Sequence, residues 1–444
     1  MWFRRDLRLS DNPAIHEALT AGPDGVLPLF VIDDRLWGDG ASTRTAYLAR
    51  LLEDFSPRVG GLHVVHGDPV TEVVRVARKA GAETVHVAAD FGPYGSRRDR
   101  RVERVLAEHD IALVRTGSPY AVAPGRVTKS DGSGYRVFTP FYGGWKEHGW
   151  RDPAPAAEDV PWMSLPAHTD RVPDAPVPHG LTLPALGEQA ALDRWRTFLA
   201  DDVDDYDETR NLPGPDQTSR MSVHLKWGAV HPRTLLADLA PLRSSGAEAY
   251  VRELAFREFY AEILWQRPDS AARYYNRELE AMDYDEPGEA LDAWKAGRTG
   301  IPIVDAGMRQ LMGEGWMHNR VRMIVASFLV KDLHLEWTHG ARHFLDLLVD
   351  GDIASNQHGW QWVAGTGTDP SPYFRIFNPV TQGKKFDPDG QYVRRWVPEL
   401  ADVDARHVHT PWELDDPPAA YPSPIVDHAE ERRESLRRYE AVRS

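Results

Sequence analysis

The chain contains no cysteine. Disulfides, thiolate metal ligands and cysteine nucleophiles therefore lie outside its chemistry, and a reducing, cytoplasmic setting is expected. No apolar run approaches the roughly 18–20 residues that span a bilayer, and the N-terminus lacks the pattern of a secretory signal. Neither Gly-x-Gly-x-x-Gly nor a P-loop occurs, so no standard dinucleotide or triphosphate cradle is encoded. Positive charge is in deficit: 52 Lys and Arg against 67 Asp and Glu leave a formal charge of -15. That lowers the expectation of a nucleic-acid partner without removing it. Phosphate affinity depends on local basic density, and one basic groove can sit on an acidic surface.

What is abundant is tryptophan. Of 15 in the chain, those beyond residue 190 are Trp195, Trp227, Trp265, Trp294, Trp316, Trp337, Trp360, Trp362, Trp396 and Trp412. A large aromatic core is the plain explanation for any one of them. At 444 residues two or three domains are expected. The first 120 residues alternate short apolar runs (Val26–Ile32, Leu62–Val65, Thr84–Ala88, Ile111–Val114) with helical patterns (Ser42–Phe55, Pro69–Ala80, Ser96–His109). This alternation predicts a doubly wound α/β domain with buried parallel strands. Met1-Trp2-Phe3 runs straight into Arg4-Arg5-Asp6, so the first strand is expected to be a stub or to begin upstream.

From Arg151 to Leu186 there are eight prolines in 36 residues, too many for helix or central strand, which marks an extended connector. An all-α domain is expected from about Glu188. Its helical patterns fall at Leu192–Ala200, Pro232–Leu239, Ala247–Trp265, Gly288–Ala296, Val304–Glu314, Asn319–Leu333 and Ala341–Leu348.

Several segments carry chemistry. Thr218-Ser219-Arg220-Met221-Ser222 puts hydroxyls and backbone N–H groups at a helix start, which suits a phosphate or a plain N-cap. Asp350-Gly351-Asp352-Ile353-Ala354-Ser355-Asn356 gathers two carboxylates and a carboxamide. It lacks the closing Glu of a calcium loop, so either recognition of a polar heterocycle or a solvated turn accounts for it, and no metal is expected. On a helix, Glu253, Phe256, Arg257 and Tyr260 share one face; that mixture suits the wall of a pocket. Trp294, Trp337 and Trp360 fall on separate segments, where core packing is the default reading.

In this order, the motifs resemble the photolyase/cryptochrome flavoprotein family. The likeness rests on Trp2–Asn12, Thr218–Ser222, Gly-Trp-Met-His-Asn-Arg-Val-Arg-Met at Gly315–Met323, and Ala326–Leu333. It continues through Asp350–Asn356 with Gly-Trp-Gln-Trp at Gly359–Trp362, and Tyr-Phe-Arg-Ile-Phe-Asn-Pro at Tyr373–Pro379. It is greatest toward class I members that repair cyclobutane pyrimidine dimers with a deazaflavin antenna. The resemblance implies an α/β antenna-binding domain (1–125), a connector (126–187) and a helical FAD- and DNA-binding domain (188–444).

Carried across position by position, the resemblance implies that Tyr206, Thr218, Ser219, Arg220, Met221 and Ser222 hold the FAD phosphates. Tyr250, Arg257, Asn319, Arg322, Asp350, Asp352 and Asn356 would line the rest of that site, with Asn356 beside the flavin N5 and Arg322 paired with Asp350. Trp360, Trp337 and Trp294 would form the photoreduction relay, in that order outward. The implied reaction is light-driven splitting of a dimer flipped out of DNA, with the cofactor doing the hard chemistry. Glu253 would hydrogen-bond the lesion, Asn319 and Met323 would touch it, and Trp362 would pack on it. Arg210, Arg320 and Arg375 would bind flanking phosphates. Asn319, rather than a second His after His318, favours the cyclobutane lesion over the (6-4) photoproduct.

Phe256 departs from the pattern. Many dimer-repairing members carry Trp there, and Phe forfeits on the order of 1 kcal/mol of stacking. The loop Phe91–Asp99 is similar to that of members binding 8-hydroxy-5-deazaflavin, with Arg5 and Asp90 at contacting positions. Folate-binding members, which take methenyltetrahydrofolate, tend to have Asn-Glu where Tyr94-Gly95 stands. A cryptochrome-type light sensor without repair is the alternative, and a dark flavoprotein or plain nucleotide-binding module a more distant one. A monomer acting on dimer-containing DNA, with no membrane partner, is the expectation.

Overall fold

The computed structural model describes residues 1–38, 42–165, 169–368 and 375–443, with the side chain of Arg443 left aside. Tyr373 and Phe374, part of one motif above, lie outside the described residues.

The chain begins with β1 (Trp2–Phe3), α1 (Pro13–Ala21), β2 (Leu29–Ile32), α2 (Asp34–Trp37), α3 (Thr43–Phe55), β3 (His63–His66), α4 (Pro69–Lys79), β4 (Thr84–Val87), α5 (Pro93–Ala107) and β5 (Ala112–Arg115). The first strand is indeed two residues long. All pairings are parallel: β1 on β2 with Trp2 opposite Leu29, β2 on β3 with Leu29 opposite His63, and β4 on β5. β1 also touches β4. All four residues of β2 are buried, the continuous apolar run that helices on both faces of a parallel sheet require. β5 differs from the buried strand expected, because among the described residues it pairs with β4 alone and leaves Ala112 and Arg115 exposed. Helix starts follow local chemistry: Asp68 accepts from Val70 N ahead of Pro69 at the first turn of α4, and Ser42 and Thr45 form a capping box on α3.

Helices follow: α6 (Phe138–His148), α7 (Gly187–Asp201), α8 (Tyr206–Thr209), α9 (Met221–Trp227), α10 (Pro232–Leu239), α11 (Ser245–Gln266), α12 (Glu289–Lys295), α13 (Pro302–Glu314) and α14 (Asn319–Ser327). The last are α15 (Trp337–Leu347), α16 (Ile353–Ala364), α17 (Pro379–Phe386), α18 (Gln391–Trp396) and α19 (His428–Arg443). Between α6 and α7 the described residues contain neither helix nor strand, as the prolines demand. The expected helix Asn319–Leu333 is instead α14 followed by a π-helical turn, Phe328–Asp332. Helix α16 was not visible as a helix in sequence: it buries Asn356, Gln357, His358 and Gln361 beside Trp360, and burial all round erases the polar stripe that marks an amphipathic helix.

The chain divides into two compact units. The first comprises Met1–His179, Leu183–Asp204 and Ser219–Pro268; the second comprises Gly180–Thr182, Asp205–Thr218 and Asp269–Ser444. The second unit is built on a core that includes Trp294, Met317, Phe328, Trp337, Phe344 and Trp360.

Candidate active site

The candidate residues divide between the units. Arg5, Asp90, Ser219, Arg220, Met221, Ser222, Tyr250, Glu253, Phe256 and Arg257 belong to the first. Tyr206, Arg210, Thr218, Asn319, Arg320, Arg322, Met323, Trp337, Asp350, Asp352, Asn356, Trp360, Trp362, Trp294 and Arg375 belong to the second.

In the second unit, α14 starts at Asn319 because His318 accepts from Arg320 N. One turn on, Arg322 donates Nε to Met317 O at 2.8 Å and Nη2 to Asp350 Oδ2 at 2.9 Å. The Asp350 side chain is almost wholly buried, and its Oδ1 has no hydrogen-bond partner among the described residues. A buried carboxylate oxygen without a donor is costly, so this atom is suited to a ligand N–H or O–H. Asp352 caps α16, accepting from Ala354 N and Ser355 N. Asn356 spends its Nδ2 on Ala341 O and Gln357 Oε1 at 3.0 and 2.8 Å, which leaves its Oδ1 oxygen to present. Gln357, unnoticed in sequence, is itself anchored on Ala271 O.

Burial, then the charges of Arg210 and Arg375, push the Arg320 guanidinium below its ordinary pKa. Asn211 Oδ1 accepts from Arg320 Nε and Nη2 at 3.2 and 2.7 Å, and the guanidinium lies over the Phe386 ring. Asn211 and Phe386 were not singled out in sequence, and no local pattern ties them to α14. Asn319 is exposed, and Met323 and Trp362 are half-buried against the core.

The tryptophans form branches rather than one line. Trp360 lies in edge contact with Trp294 at 6.1 Å and with Phe344 at 5.0 Å. Trp294 is fully buried, so it is not the outer member that the expected order Trp360, Trp337, Trp294 requires. Trp360 also packs on Gly340, one turn along α15 from Trp337, where a Cβ would collide with its ring.

In the first unit, Ser219 Oγ and Tyr250 Oη are 2.6 Å apart, Met221 N donates to Ser219 Oγ, and Arg194 Nε reaches Ser219 O. Arg220 sits at φ 55, a left-handed turn that starts α9 at Met221. Tyr250 packs on Trp195 and Phe198, and burial and the nearby Glu253 charge raise its phenol while Ser219 offsets part of this. Two expectations need correction. Arg257 turns its guanidinium onto Pro119 O at 2.9 Å and Leu225 O at 3.4 Å, over the Tyr120 ring, so it fastens a loop to α11. Phe256 has one ring face covered by Phe138, at 3.4 Å between centroids and 7° between planes. Phe138 lies on α6, inside the stretch read as connector, where Pro140 and Gly143-Gly144 weaken the helical signal.

At the sheet, Asp90 accepts from Gly92 N and Arg98 Nη2. Burial would raise its carboxyl, but Arg4, Arg98 and Arg5 overcome this and hold it below the usual range. The charges of Arg5 and Asp90 thus act on each other. Any side chain at Gly95 would collide with the Asp90 carboxylate, and Tyr94 donates to Asp33. The loop therefore has no room for the Asn-Glu pair.

Residues 1–160 match the family described as DNA photolyase, and residues 250–441 match the FAD binding domain of DNA photolyase. The chain belongs to the DNA photolyase family, flavoproteins with an α/β domain and a helical FAD-binding domain. It is 44% identical to the deoxyribodipyrimidine photo-lyase of Streptomyces griseus, over 97% of this chain and 96% of that protein. Identity to the deoxyribodipyrimidine photo-lyase of Alkalihalophilus pseudofirmus is 35%, over 98% and 96%. Among solved structures, a bacterial class III photolyase from Agrobacterium tumefaciens matches with a TM-score of 0.93 at 33% identity, over 100% of this chain and 97% of that one. The cryptochrome of Synechocystis matches with a TM-score of 0.88 at 26% identity, over 98% of each chain.

Proposed function

We propose that this chain repairs cyclobutane pyrimidine dimers in DNA under light, as a deoxyribodipyrimidine photo-lyase. The observation that carries the reading is the buried Asp350 carboxylate, clamped by Arg322 and left with one oxygen for a ligand, in the same unit as the Trp360 aromatic series. Each unit supplies groups that suit FAD: in the second, a carboxylate and carboxamide for the ring and the Thr218 hydroxyl for a phosphate; in the first, the Ser219 and Ser222 hydroxyls for phosphates. Bound FAD, reduced and excited by light, supplies the electron that splits the cyclobutane ring.

The protein's own part is to bind, orient and keep water out. Asp350 accepts from the ring edge while Arg322 holds the carboxylate in place. Asn356 presents Oδ1, its rotamer held by Ala341 and Gln357. Arg210, Arg320 and Arg375 neutralise phosphates flanking the lesion, which makes a locally basic site on an acidic chain. Glu253 accepts from the lesion, Asn319 and Met323 touch it and Trp362 packs on it. Tyr206 and Arg220 stand with the phosphate set.

For the antenna we favour 8-hydroxy-5-deazaflavin, on the support of the paired charges at Arg5 and Asp90 and the side-chain-free Gly95. The enzyme is taken as a cytoplasmic monomer.

The test is loss of dimers from ultraviolet-irradiated oligothymidylate under blue light, with cofactor extraction from the same preparation. Dimer loss that needs both light and reduced FAD is expected. Light-dependent flavin reduction with dimers untouched would overturn repair in favour of a light sensor, the reading that likeness to a cryptochrome supports.

A further inference from the structure

Two tryptophans lie near Trp360 within the second unit, Trp294 in ring contact and Trp337 on α15 beyond Gly340, and their surroundings differ. Trp294 is sealed in the core, stacked near-parallel on Phe344 at 6.2 Å and beside His343. Its indole N–H donates to Val325 O at 3.0 Å, an amide oxygen too weakly basic to take a proton. Trp337 stands on α15 one turn from Gly340, against which the Trp360 ring packs; it too is fully buried, and its indole N–H has no partner among the described residues. An oxidised indole at either place stays charged in apolar surroundings, which is costly.

The Trp337 ring has one aromatic contact among the described residues. Tyr274 meets it edge-on, with centroids 5.9 Å apart and planes at 77°. Unlike either indole, Tyr274 has a proton acceptor in place: its Oη donates to Glu336 Oε1 at 2.9 Å. Glu336 is half-buried and holds Thr338 Oγ1 on its other oxygen at 2.9 Å. Glu336 stands at the N-cap position of α15 immediately before Trp337, so acceptor and indole are set by one helix start and the Tyr274 phenol is tied to it through Glu336. Burial, together with Tyr284 and Glu336, raises the Tyr274 phenol above its ordinary range. The proton therefore stays on the phenol until an electron leaves.

We propose that Tyr274 is the terminal electron donor of the photoreduction relay. The proposal rests on the reading that Trp360 and Trp337 pass electrons to FAD. Photoexcited oxidised flavin is the oxidant and takes one electron through Trp360 and Trp337. Oxidised Trp337 then takes one electron from Tyr274 while the phenolic proton moves to the Glu336 carboxylate. The products are a neutral indole, a neutral tyrosyl radical and a protonated Glu336. The electron cannot return until the proton does, which lengthens the charge-separated state. Trp294 serves as a side branch, because its indole N–H is spent on the weakly basic Val325 carbonyl oxygen.

The experiment is pulsed-light transient absorption and electron paramagnetic resonance on the FAD-loaded, full-length protein with oxidised flavin. Wild type should show a tryptophan radical replaced by a tyrosyl radical, more slowly in heavy water. Tyr274→Phe should lose the tyrosyl signal, with the tryptophan radical decaying by direct return to flavin. Glu336→Gln, which keeps Tyr274, should slow the conversion. Tyr284→Phe should keep the tyrosyl signal and so assign it to Tyr274. A tyrosyl radical that survives in Tyr274→Phe, or is absent from wild type while Trp337→Phe still abolishes photoreduction, overturns the proposal and leaves the relay reading standing. Undiminished photoreduction in Trp337→Phe overturns the relay reading and the proposal with it.

Discussion

Arg322 and Asp350 form a one-sided ion pair: Oδ2 of the buried carboxylate takes the guanidinium at 2.9 Å, while Oδ1 has no donor among the described residues. The pair links α14 to the segment before α16 and leaves one buried acceptor atom without a donor among the described residues. Asp350→Asn keeps the shape but replaces one acceptor with a donor and weakens the hold on Arg322. Losing a hydrogen bond to a charged group corresponds to about 10–100-fold in affinity. FAD retention should fall by that factor, as measured by titrating FAD into flavin-free protein and following flavin fluorescence. Retention equal to wild type would remove Asp350 from the flavin site.

Arg320 owes its position to Asn211 and Phe386. Arg320→Ala should weaken damaged and undamaged DNA alike and lower the slope of log affinity against log salt by about 1. Asn211→Ala, which leaves the charge free to move, should weaken binding less and leave the slope intact. Fluorescence anisotropy over a salt series reads both. A sequence-dependent loss would contradict a phosphate role.

Gly340 is kept free of a side chain by the Trp360 ring, and Leu329 lies against the same spot. Gly340→Ala should destabilise the second unit by about 1–3 kcal/mol through overpacking and displace Trp360. Denaturant unfolding gives the first effect. A changed tryptophan emission spectrum at low denaturant gives the second.

His224 is buried, and burial lowers its pKa to about 4. An unfolded histidine binds its proton near 6.5, so between those values the unfolded chain holds more protons than the folded one. Stability from this group is complete above pH 6.5 and is lost as pH falls toward 4. His224→Leu removes the proton site. From pH 7 to pH 4, wild type should therefore lose on the order of 3 kcal/mol more than the variant. Parallel pH profiles for the two would refute a buried neutral His224. Buried carboxyls that act in the opposite direction, Glu258 and Glu262 among them, cancel in this comparison.

Much of the local structure was legible because its causes are local. Pro232 at the first turn and the apolar spacing behind it set α10 at Pro232–Leu239. The apolar run at β2 was plain as a buried parallel strand, and Asp352 was visible as a polar group at the head of what proves to be α16. The motif Ala326–Leu333 was equally plain in sequence, but its chemistry was not. Lys331 Nζ donates to Ala364 O at 2.8 Å and Asp332 pairs with His428. The motif therefore holds α16 and α19 in place.

The sequence by itself determined the class of protein, the helices and strands with clean periodicity or caps, and the residue types available to hold a flavin and phosphates. Tertiary structure alone decided which of those side chains are free to act. It turned Arg257 onto backbone carbonyls, covered one face of Phe256 with Phe138, buried Trp294 at a closed end and set Tyr274 between Trp337 and Glu336. Capping and periodicity are written within a few residues of each other. A ring contact between residues 63 apart, or a hydrogen bond across 62, arises only when separate elements pack, and no local pattern encodes it.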